Sequence, residues 1–380
     1  MPSLRDAPPL GIGVNGTNPE SPVISVPAGL EYEGRLEALD GLRGVAALSV
    51  LIIHLGIASG LPGLTPLAFL AVDLFFMLSG FVIGSAYESK LRSGMTLRHF
   101  IAIRAARFLP GLAIGILLSA ATHVWLGRPS GDLLLQVPLH LLLIPDVAAP
   151  VLFPLNGVVW TLFFEMAVNI AHASCVRALT TPRLALLTAL CGALWAWTAA
   201  HTGDWGGGWN WASAVAGSYR VGWAYGTGLL LYRLTAAGAL RIPRVPGFAP
   251  ISAAIVVLLG PSLFLGTART PVSLFVLLPM ILALAVHARL GVGGRRAASW
   301  FGGLSYPLYT MHPSLLLISA GLLGTGPETR PLWAVAAALI VLAAAAVFHI
   351  CEMPARMWLK RRLNSRQAPP TLAAGELARP

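Results

Sequence analysis

The run PLWAVAAALIVLAAAAVFHIC, residues 331–351, contains no Asp, Glu, Lys or Arg side chain. A helix of this length can cross the hydrocarbon core of a bilayer, and the run is too long for a single strand. The rest of the chain has the same character, since 56% of its 380 residues are hydrophobic and only 11% are charged. We therefore expect an all-α polytopic membrane protein.

Similar apolar runs along the chain predict about ten transmembrane helices. A further apolar stretch, residues 133–145, contains Pro138 and His140 and is short for a crossing, so we expect a re-entrant or interfacial segment there. The predicted spans are 43–60, 66–87, 108–126, 157–176, 184–201, 213–232, 249–267, 271–288, 300–322 and 331–351.

The positions of Lys and Arg predict the orientation of these spans. With a cytoplasmic N-terminus, only Arg128, Arg269 and Arg330 fall on the outer side, as the positive-inside rule requires. The net charge of +11 then needs no nucleic-acid partner. The Ala-, Gly-, Pro- and Arg-rich composition is typical of a high-GC bacterium. We thus expect a multi-pass protein of the bacterial plasma (inner) membrane with both termini cytoplasmic.

The composition of the chain ends predicts the domain organisation. Residues 1–38 are rich in Gly, Pro and Asn and lack an apolar core of signal-peptide length, which favours a disordered cytoplasmic tail. Residues 361–380 form a second tail, basic and disordered, so the membrane domain is predicted at 39–360. The three cysteines are unclustered, and we expect neither a disulfide nor a metal site.

The first span carries an unusual pair of polar residues in DGLRGVAALSVLIIH, residues 40–54. Arg43 and His54 are eleven positions apart, which puts them on one helix face about 16 Å apart along the axis. An imidazole can take and return a proton near neutral pH, so His54 is a candidate catalytic base. A hydrogen bond to a neighbouring helix is the alternative interpretation.

Two later spans also carry polar residues at helical spacing. Thr161 and Glu165 lie on one stripe of the span 157–176, and a carboxylate inside a membrane needs a partner or a wet cavity. In the span 300–322, Ser305, Tyr309 and His312 are spaced by four and three residues, and Tyr309 and His312 are candidates for substrate binding. Glu165 and His54 together favour a functional site.

Asp73 in the second span and Arg220 in the sixth have opposite charges. They are candidates for substrate binding, but a buried ion pair that fixes helix packing accounts for them equally well.

Arg104 and Arg107 lie one helical turn apart before the third span. Two guanidinium groups on one helix face can hold a phosphate group. The positive-inside rule explains some cations here without any ligand, so both interpretations stay open.

The motifs together resemble the acyltransferase 3 family of membrane-bound O-acyltransferases, over about residues 36–360. The family's ten-span core agrees with the number of predicted spans. We expect no extracytoplasmic esterase-like domain, which many polysaccharide-modifying members carry, within these 380 residues. The resemblance rests on LDGLRG followed by His54, VDLFFMLSGFVI around Asp73 and Ser79, RAARFLP with Arg104 and Arg107, WTLFFE ending at Glu165, LSYPLYTMHP with His312, and FHICEMPAR with Glu352 and Pro354.

The resemblance implies transfer of an acyl group, commonly acetyl, from cytoplasmic acyl-CoA to a hydroxyl of an acceptor. The acceptor would be a glycan precursor or a glycosylated metabolite, and no tightly bound cofactor is implied. Arg43, Arg104 and Arg107 would bind substrate, and His54 would act as general base. Glu165 or Asp40 would orient or charge the imidazole, although Asp40 could instead cap the start of its helix. An acyl-histidine intermediate is an open alternative.

Two other functions fit a membrane protein with inward polar groups. A carrier or flippase for a lipid-linked or amphiphilic molecule would use the same residues as a substrate site, without releasing a free thiol. A non-catalytic membrane sensor would not require His54 and Glu165 to share a cavity.

Overall fold

The long apolar runs do not alternate between polar and apolar residues as a half-buried strand would. They form helices, because a helix satisfies its backbone hydrogen bonds internally within lipid. In the computed structural model, which describes residues 36–63, 65–127, 132–240, 242–243, 245–260 and 268–365, no strand is present among the described residues. The predicted all-helical membrane class is confirmed. The predicted tails lie mostly outside the described residues, although the first helix begins at Leu36.

The helices follow one another with short connections. They are α1 Leu36–Ala58, α2 Ala71–Ile83, α3 Ser89–Arg92, α4 Leu97–Trp125, α5 Leu133–Leu141, α6 Val159–Cys175, α7 Thr181–Thr202, α8 Ala214–Ala236, α9 Phe248–Leu259, α10 Arg269–Val272, α11 Leu278–His287, α12 Val292–Leu323, α13 Arg330–Val347 and α14 Met353–Ser365. Single π-helical turns join α2 to α3, α10 to α11, and α13 to α14.

The length and hydropathy of six helical segments within the described residues suit a membrane crossing. Helices also occur at the other predicted spans, but α6 has only 17 residues, α9 ends at Leu259, and α8 and α12 carry more polar side chains. The number of about ten therefore stays a prediction. The six segments are Glu37–Ala58, Ala68–Arg92, Leu97–Trp125, Thr181–Thr202, Arg269–His287 and Arg330–Leu359.

The segment expected not to cross the membrane contains α5, which has nine residues. Nine residues span about 13.5 Å, well below the hydrocarbon thickness. The side chain of Asp132 caps its first turn by accepting from Leu134 N. At its other end, Nε2 of the buried His140 accepts hydrogen bonds from the backbone N–H groups of Leu155 and Asn156, at 3.2 and 3.3 Å. The helix is thus tied to the loop before α6, which favours the interfacial or re-entrant interpretation.

Contacts between loops define two ends of the helix bundle. At one end, which we call the arginine end, the buried Glu88 carboxylate binds Arg92 and Arg233 at 2.9 and 2.6 Å, and both guanidinium groups also donate to Leu179 O. This contact joins three parts of the chain: the segment after α2, the loop after α6, and the end of α8.

At the opposite end, which we call the histidine end, the loop before α6 pairs with the loop after α7. Leu152 N donates to Trp209 O at 3.1 Å, and Val151 and Asn210 form an isolated bridge. The two loops therefore lie on the same side of the bundle, as they must if α6 and α7 form a helical hairpin.

Close helix crossings depend on glycine where α2 meets α8. A Cβ atom on Gly80 would overlap the Tyr225 carbonyl oxygen, and one on Gly228 would overlap the Met77 carbonyl oxygen. Small residues allow backbones to approach closely in membrane proteins, where packing replaces the hydrophobic effect as the force between helices. This crossing sets the position of Ser79 on α2, which faces the site described next.

Candidate active site

A cavity of about 690 Å³, a volume that includes its open mouth, lies among α1, α2, α4, α6 and α12. Its wall is mostly apolar, with three guanidinium groups and one carboxylate among the lining side chains. The polar and aromatic lining residues that matter below are Arg43, Phe75, Ser79, Arg104, Arg107, Thr161, Glu165, Ser305, Tyr306 and Tyr309.

Glu165 is the carboxylate of this cavity. Its Oε1 accepts from Ser79 Oγ at 2.8 Å and from Arg104 Nη2 at 2.9 Å. The Arg104 side chain is 3% exposed and lies over the Phe108 ring, 4.7 Å from its centroid. The sequence predicted that Glu165 needs a partner inside the membrane. Its partners are a cation and a hydroxyl group, each on a different helix.

Arg104 and Arg107, which were predicted as a pair, both line the cavity, but they differ in whether the guanidinium group has an ion-pair partner. Arg104 is committed to Glu165, whereas Arg107 is half-buried and has no ion pair among the described residues. Arg43 reaches the same cavity from α1, with Nη1 3.9 Å from Asp40 Oδ1, and electrostatic interactions couple it to Arg107 and Glu165. Positive charge from two helices therefore faces one space, and Arg107 is the guanidinium with charge available to an anionic ligand.

Asp40 lies inside α1 rather than at its start, because the helix is already formed at Leu36. The interpretation of Asp40 as an N-cap is therefore wrong. It lies fourteen positions before His54 on one continuous helix, about 21 Å along the axis. This distance is beyond side-chain reach, so Asp40 is positioned beside Arg43 and not beside the imidazole.

His54 is bonded to the other predicted histidine. Nε2 of His312 lies 3.2 Å from Nδ1 of His54, and the two ring centroids are 5.0 Å apart. Nδ1 of His54 also lies 2.8 Å from Val50 O. The structure thus brings His54 to His312, while the hydrogen bonds of Glu165 go to Ser79 and Arg104.

Tyr309 lies between the histidine pair and the cavity. Its hydroxyl is 2.8 Å from Thr161 Oγ1, and its ring packs edge-on against Phe75, with centroids 5.7 Å apart. On its other side the ring contacts His312, with centroids 5.9 Å apart. The polar stripes of α6 and α12 therefore meet here, and Tyr309 connects the arginine-lined space to the histidines.

Asp73 and Arg220 form a fully buried ion pair, 0% and 1% exposed. Arg220 donates to both carboxylate oxygens of Asp73, at 2.7 and 2.8 Å, and its remaining N–H groups bind the carbonyl oxygens of Phe69, Gly206 and Gly207. Every donor of the guanidinium is used. We therefore favour the packing interpretation of this pair, which ties α2 and α8 to the loop after α7.

Two residues at or beside the cavity, Tyr306 and Arg356, are not among those predicted from the sequence. Tyr306 lines the cavity and donates to Phe108 O at 2.7 Å, and the Arg356 guanidinium lies 5.3 Å from the centre of its ring. Arg356 pairs with the buried Glu352 one helical turn before it. The four-residue spacing of Glu352 and Arg356 was the available signal. Within the described part of the chain, no group of three His, Cys, Asp or Glu residues is arranged to hold a metal ion.

Several known proteins are similar to this chain in sequence. Residues 36–350 match the Acyltransferase domain family called Acyl_transf_3. "Protein 2 in picA locus" of Rhizobium radiobacter is 37% identical over 161 residues, covering 37% of this chain and 81% of that protein. A protein of Komagataeibacter xylinus named as a membrane-bound transacylase, BcsY, is 24% identical over 300 residues, covering 74% of this chain and 72% of that protein. No solved structure matches the chain.

Proposed function

Because the chain belongs to the Acyltransferase domain family and is a membrane acyltransferase, we propose that it transfers an acyl group, acetyl in the simplest case, from acyl-CoA to a hydroxyl of a carbohydrate-containing or natural-product acceptor. The observation that carries the proposal is the cavity on which Arg43, Arg104 and Arg107 converge beside the His54 and His312 pair. The three guanidinium groups line the cavity, and Tyr309 lies between this cavity and the two histidines.

The donor is assigned from the charges of the cavity. CoA carries phosphates, and a guanidinium holds phosphate through paired N–H donors. Arg107 supplies that charge, while Arg104 is held in place by Glu165. The apolar part of the wall, which includes Phe75 and Leu162, suits the uncharged pantetheine arm and the acyl group.

The chemical step is assigned to His54. Its imidazole removes the proton of the acceptor hydroxyl, the oxygen forms a bond to the thioester carbonyl carbon, and the carbon–sulfur bond breaks. The imidazolium then returns the proton to the leaving thiolate, so the products are the ester and free CoA. Tyr309 lies between the arginine-lined space and the imidazole. For the thioester to reach His54, the Tyr309 ring must rotate away or the pantetheine arm must extend around it.

The direct test is acyl transfer by the purified protein in lipid nanodiscs. The protein would be incubated with acetyl-CoA labelled in the acetyl group, together with extracts of cells that lack the gene. We expect labelled ester and an equal amount of free thiol, both dependent on the protein. Transport of an extract component without any thiol release would instead favour a carrier.

Replacement of Arg107 by Ala is expected to raise the acyl-CoA concentration needed for half-maximal rate, with little change in the saturated rate. Phosphate contacts far from the thioester bind ground state and transition state about equally. The measurement is a donor titration at saturating acceptor. Arg98→Ala is the matched control, because Arg98 lies exposed on the same helix.

A lower saturated rate for Arg107→Ala with unchanged donor dependence would contradict a role in donor binding. Arg104→Ala is expected to lower both parameters, since it also leaves the Glu165 carboxylate with Ser79 as its remaining partner.

The proposed orientation is a cytoplasmic arginine end in the bacterial inner membrane, so that the cavity receives acyl-CoA from the cytoplasm. It rests on the positive-inside rule and on the same-side contact of the loops before α6 and after α7.

Single cysteines test the orientation, in a protein whose three native cysteines are replaced by Ser. Cysteines at Val147 and Trp209, whose side chains are 84% and 48% exposed, should react with a membrane-impermeant thiol reagent in intact cells. A cysteine at the exposed Ser89 should react only after the cells are opened. Labelling of Ser89→Cys in intact cells would reverse the assignment.

A further inference from the structure

The hydrogen bonds of the two histidines determine which ring nitrogen carries the proton. Nδ1 of His54 lies 2.8 Å from Val50 O, and Nδ1 of His312 lies 3.1 Å from Leu308 O. A carbonyl oxygen can only accept, so each Nδ1 must be the N–H nitrogen. In a neutral imidazole the other nitrogen, Nε2, is then an acceptor with a free lone pair.

His312 is neutral in this environment. Its side chain is 0% exposed, and neither an Asp nor a Glu is in ionic contact with it among the described residues. A buried imidazolium without a counterion would be costly. Nε2 of His312 therefore presents a lone pair, and the atom it faces at 3.2 Å is Nδ1 of His54.

These constraints agree on one arrangement. The Nδ1–H of His54 is shared between Val50 O and Nε2 of His312, and Nε2 of His54 is unprotonated. No hydrogen bond from the described residues occupies Nε2 of His54. The one ring nitrogen that can accept a proton therefore has its lone pair available.

We propose that His312 is a positioning residue, which holds the His54 ring in the Nδ1–H tautomer and fixes its rotation so that Nε2 meets the acceptor hydroxyl. The inference rests on the proposed function of His54 as general base. His312 itself neither gains nor loses a proton: it accepts the same hydrogen bond before and after His54 is protonated. This role differs from substrate binding, which the sequence predicts for His312.

Two replacements separate positioning from packing and from substrate binding. In His312→Gln, the amide oxygen can reach the place of Nε2 and accept the same hydrogen bond, whereas His312→Leu fills the space without an acceptor. We expect His312→Leu to lower kcat by about 10-fold to 100-fold, as for other residues that orient a functional histidine, with unchanged KM for donor and acceptor. Val50 O still binds Nδ1 in this variant, so the loss should be smaller than for removal of His54.

His312→Gln should recover most of the lost kcat. His123→Leu is the control, because His123 makes the same kind of bond to a carbonyl four residues before it, on α4. A wild-type kcat for His312→Leu would overturn the proposal, and so would a raised acceptor KM at wild-type kcat, which would indicate substrate binding.

Nitrogen-15 spectra of histidine-labelled protein give a readout that does not depend on activity. The His54 signal, identified by its loss in His54→Ala, should report a protonated Nδ1 and an unprotonated Nε2 in the wild type. In His312→Leu, where Val50 O alone binds the Nδ1–H, a minor fraction of the other tautomer should appear beside it. A wild-type His54 protonated at Nε2 would overturn the proposal even if the variants did not fold. If His54→Ala keeps full activity, the proposed function fails, and the spectra still decide the tautomer.

Discussion

Purified His54→Ala protein is expected to transfer acyl groups about 10² to 10⁴ times more slowly than the wild type, which is the usual contribution of a positioned general base. The replacement removes the imidazole whose Nε2 is free. His312 cannot substitute for it, because its Nδ1 bonds Leu308 O and its Nε2 points to the vacated ring position. The measurement is the initial rate at saturating acetyl-CoA and acceptor.

His201→Ala is the matched control for this experiment. His201 is exposed, its ring lies tilted against Trp197 with centroids 4.4 Å apart, and it is not among the residues that line the cavity. Its replacement should leave the rate unchanged. Thermal unfolding of the His54→Ala protein verifies that it is folded. If the folded variant transfers acyl groups at the wild-type rate, His54 is not the general base.

Asp73→Ala is expected to destabilise the folded protein by about 3–5 kcal/mol, the usual result of breaking a buried ion pair from one side. The loss leaves the Arg220 guanidinium, 1% exposed, without its carboxylate. The carbonyl oxygens of Phe69, Gly206 and Gly207 remain, but they do not neutralise a charge. Thermal unfolding of the purified protein in detergent measures the effect.

Two further variants show whether the effect belongs to the buried charge. Asp73→Ala combined with Arg220→Met removes both ions and should recover part of the lost stability, because no unpaired charge remains. Arg92→Ala breaks a pair whose arginine is 41% exposed and should cost about 1 kcal/mol or less. An Asp73→Ala protein that unfolds at the wild-type temperature would mean that Asp73 is not a packing residue, and would reopen the substrate-binding interpretation.

The amino-acid sequence alone determined the helical membrane class, and it predicted that the stretch 133–145 is too short to cross. Both depend on local properties, since the length of an apolar run and its charges decide whether a helix suits the bilayer. It also identified His54, Glu165 and Tyr309 as inward polar residues, because a polar group at helical spacing in an apolar segment requires a partner. Arg43 and Arg104 were predicted as cations that bind substrate.

Only the tertiary structure decided which of these residues are partners. Glu165 binds Arg104 and Ser79, which lie 61 and 86 positions away, and His54 meets His312 across 258 positions. Such pairings depend on how each helix is rotated about its axis, and close packing sets this rotation, as at the crossing of Gly80 and Gly228. The π-helical turn Gly84–Glu88 adds a residue to one turn and so changes the face that follows it. Hydrophobic periodicity does not record how a helix is rotated against its neighbours, and this is why the polar residues could be found from the sequence while their partners could not.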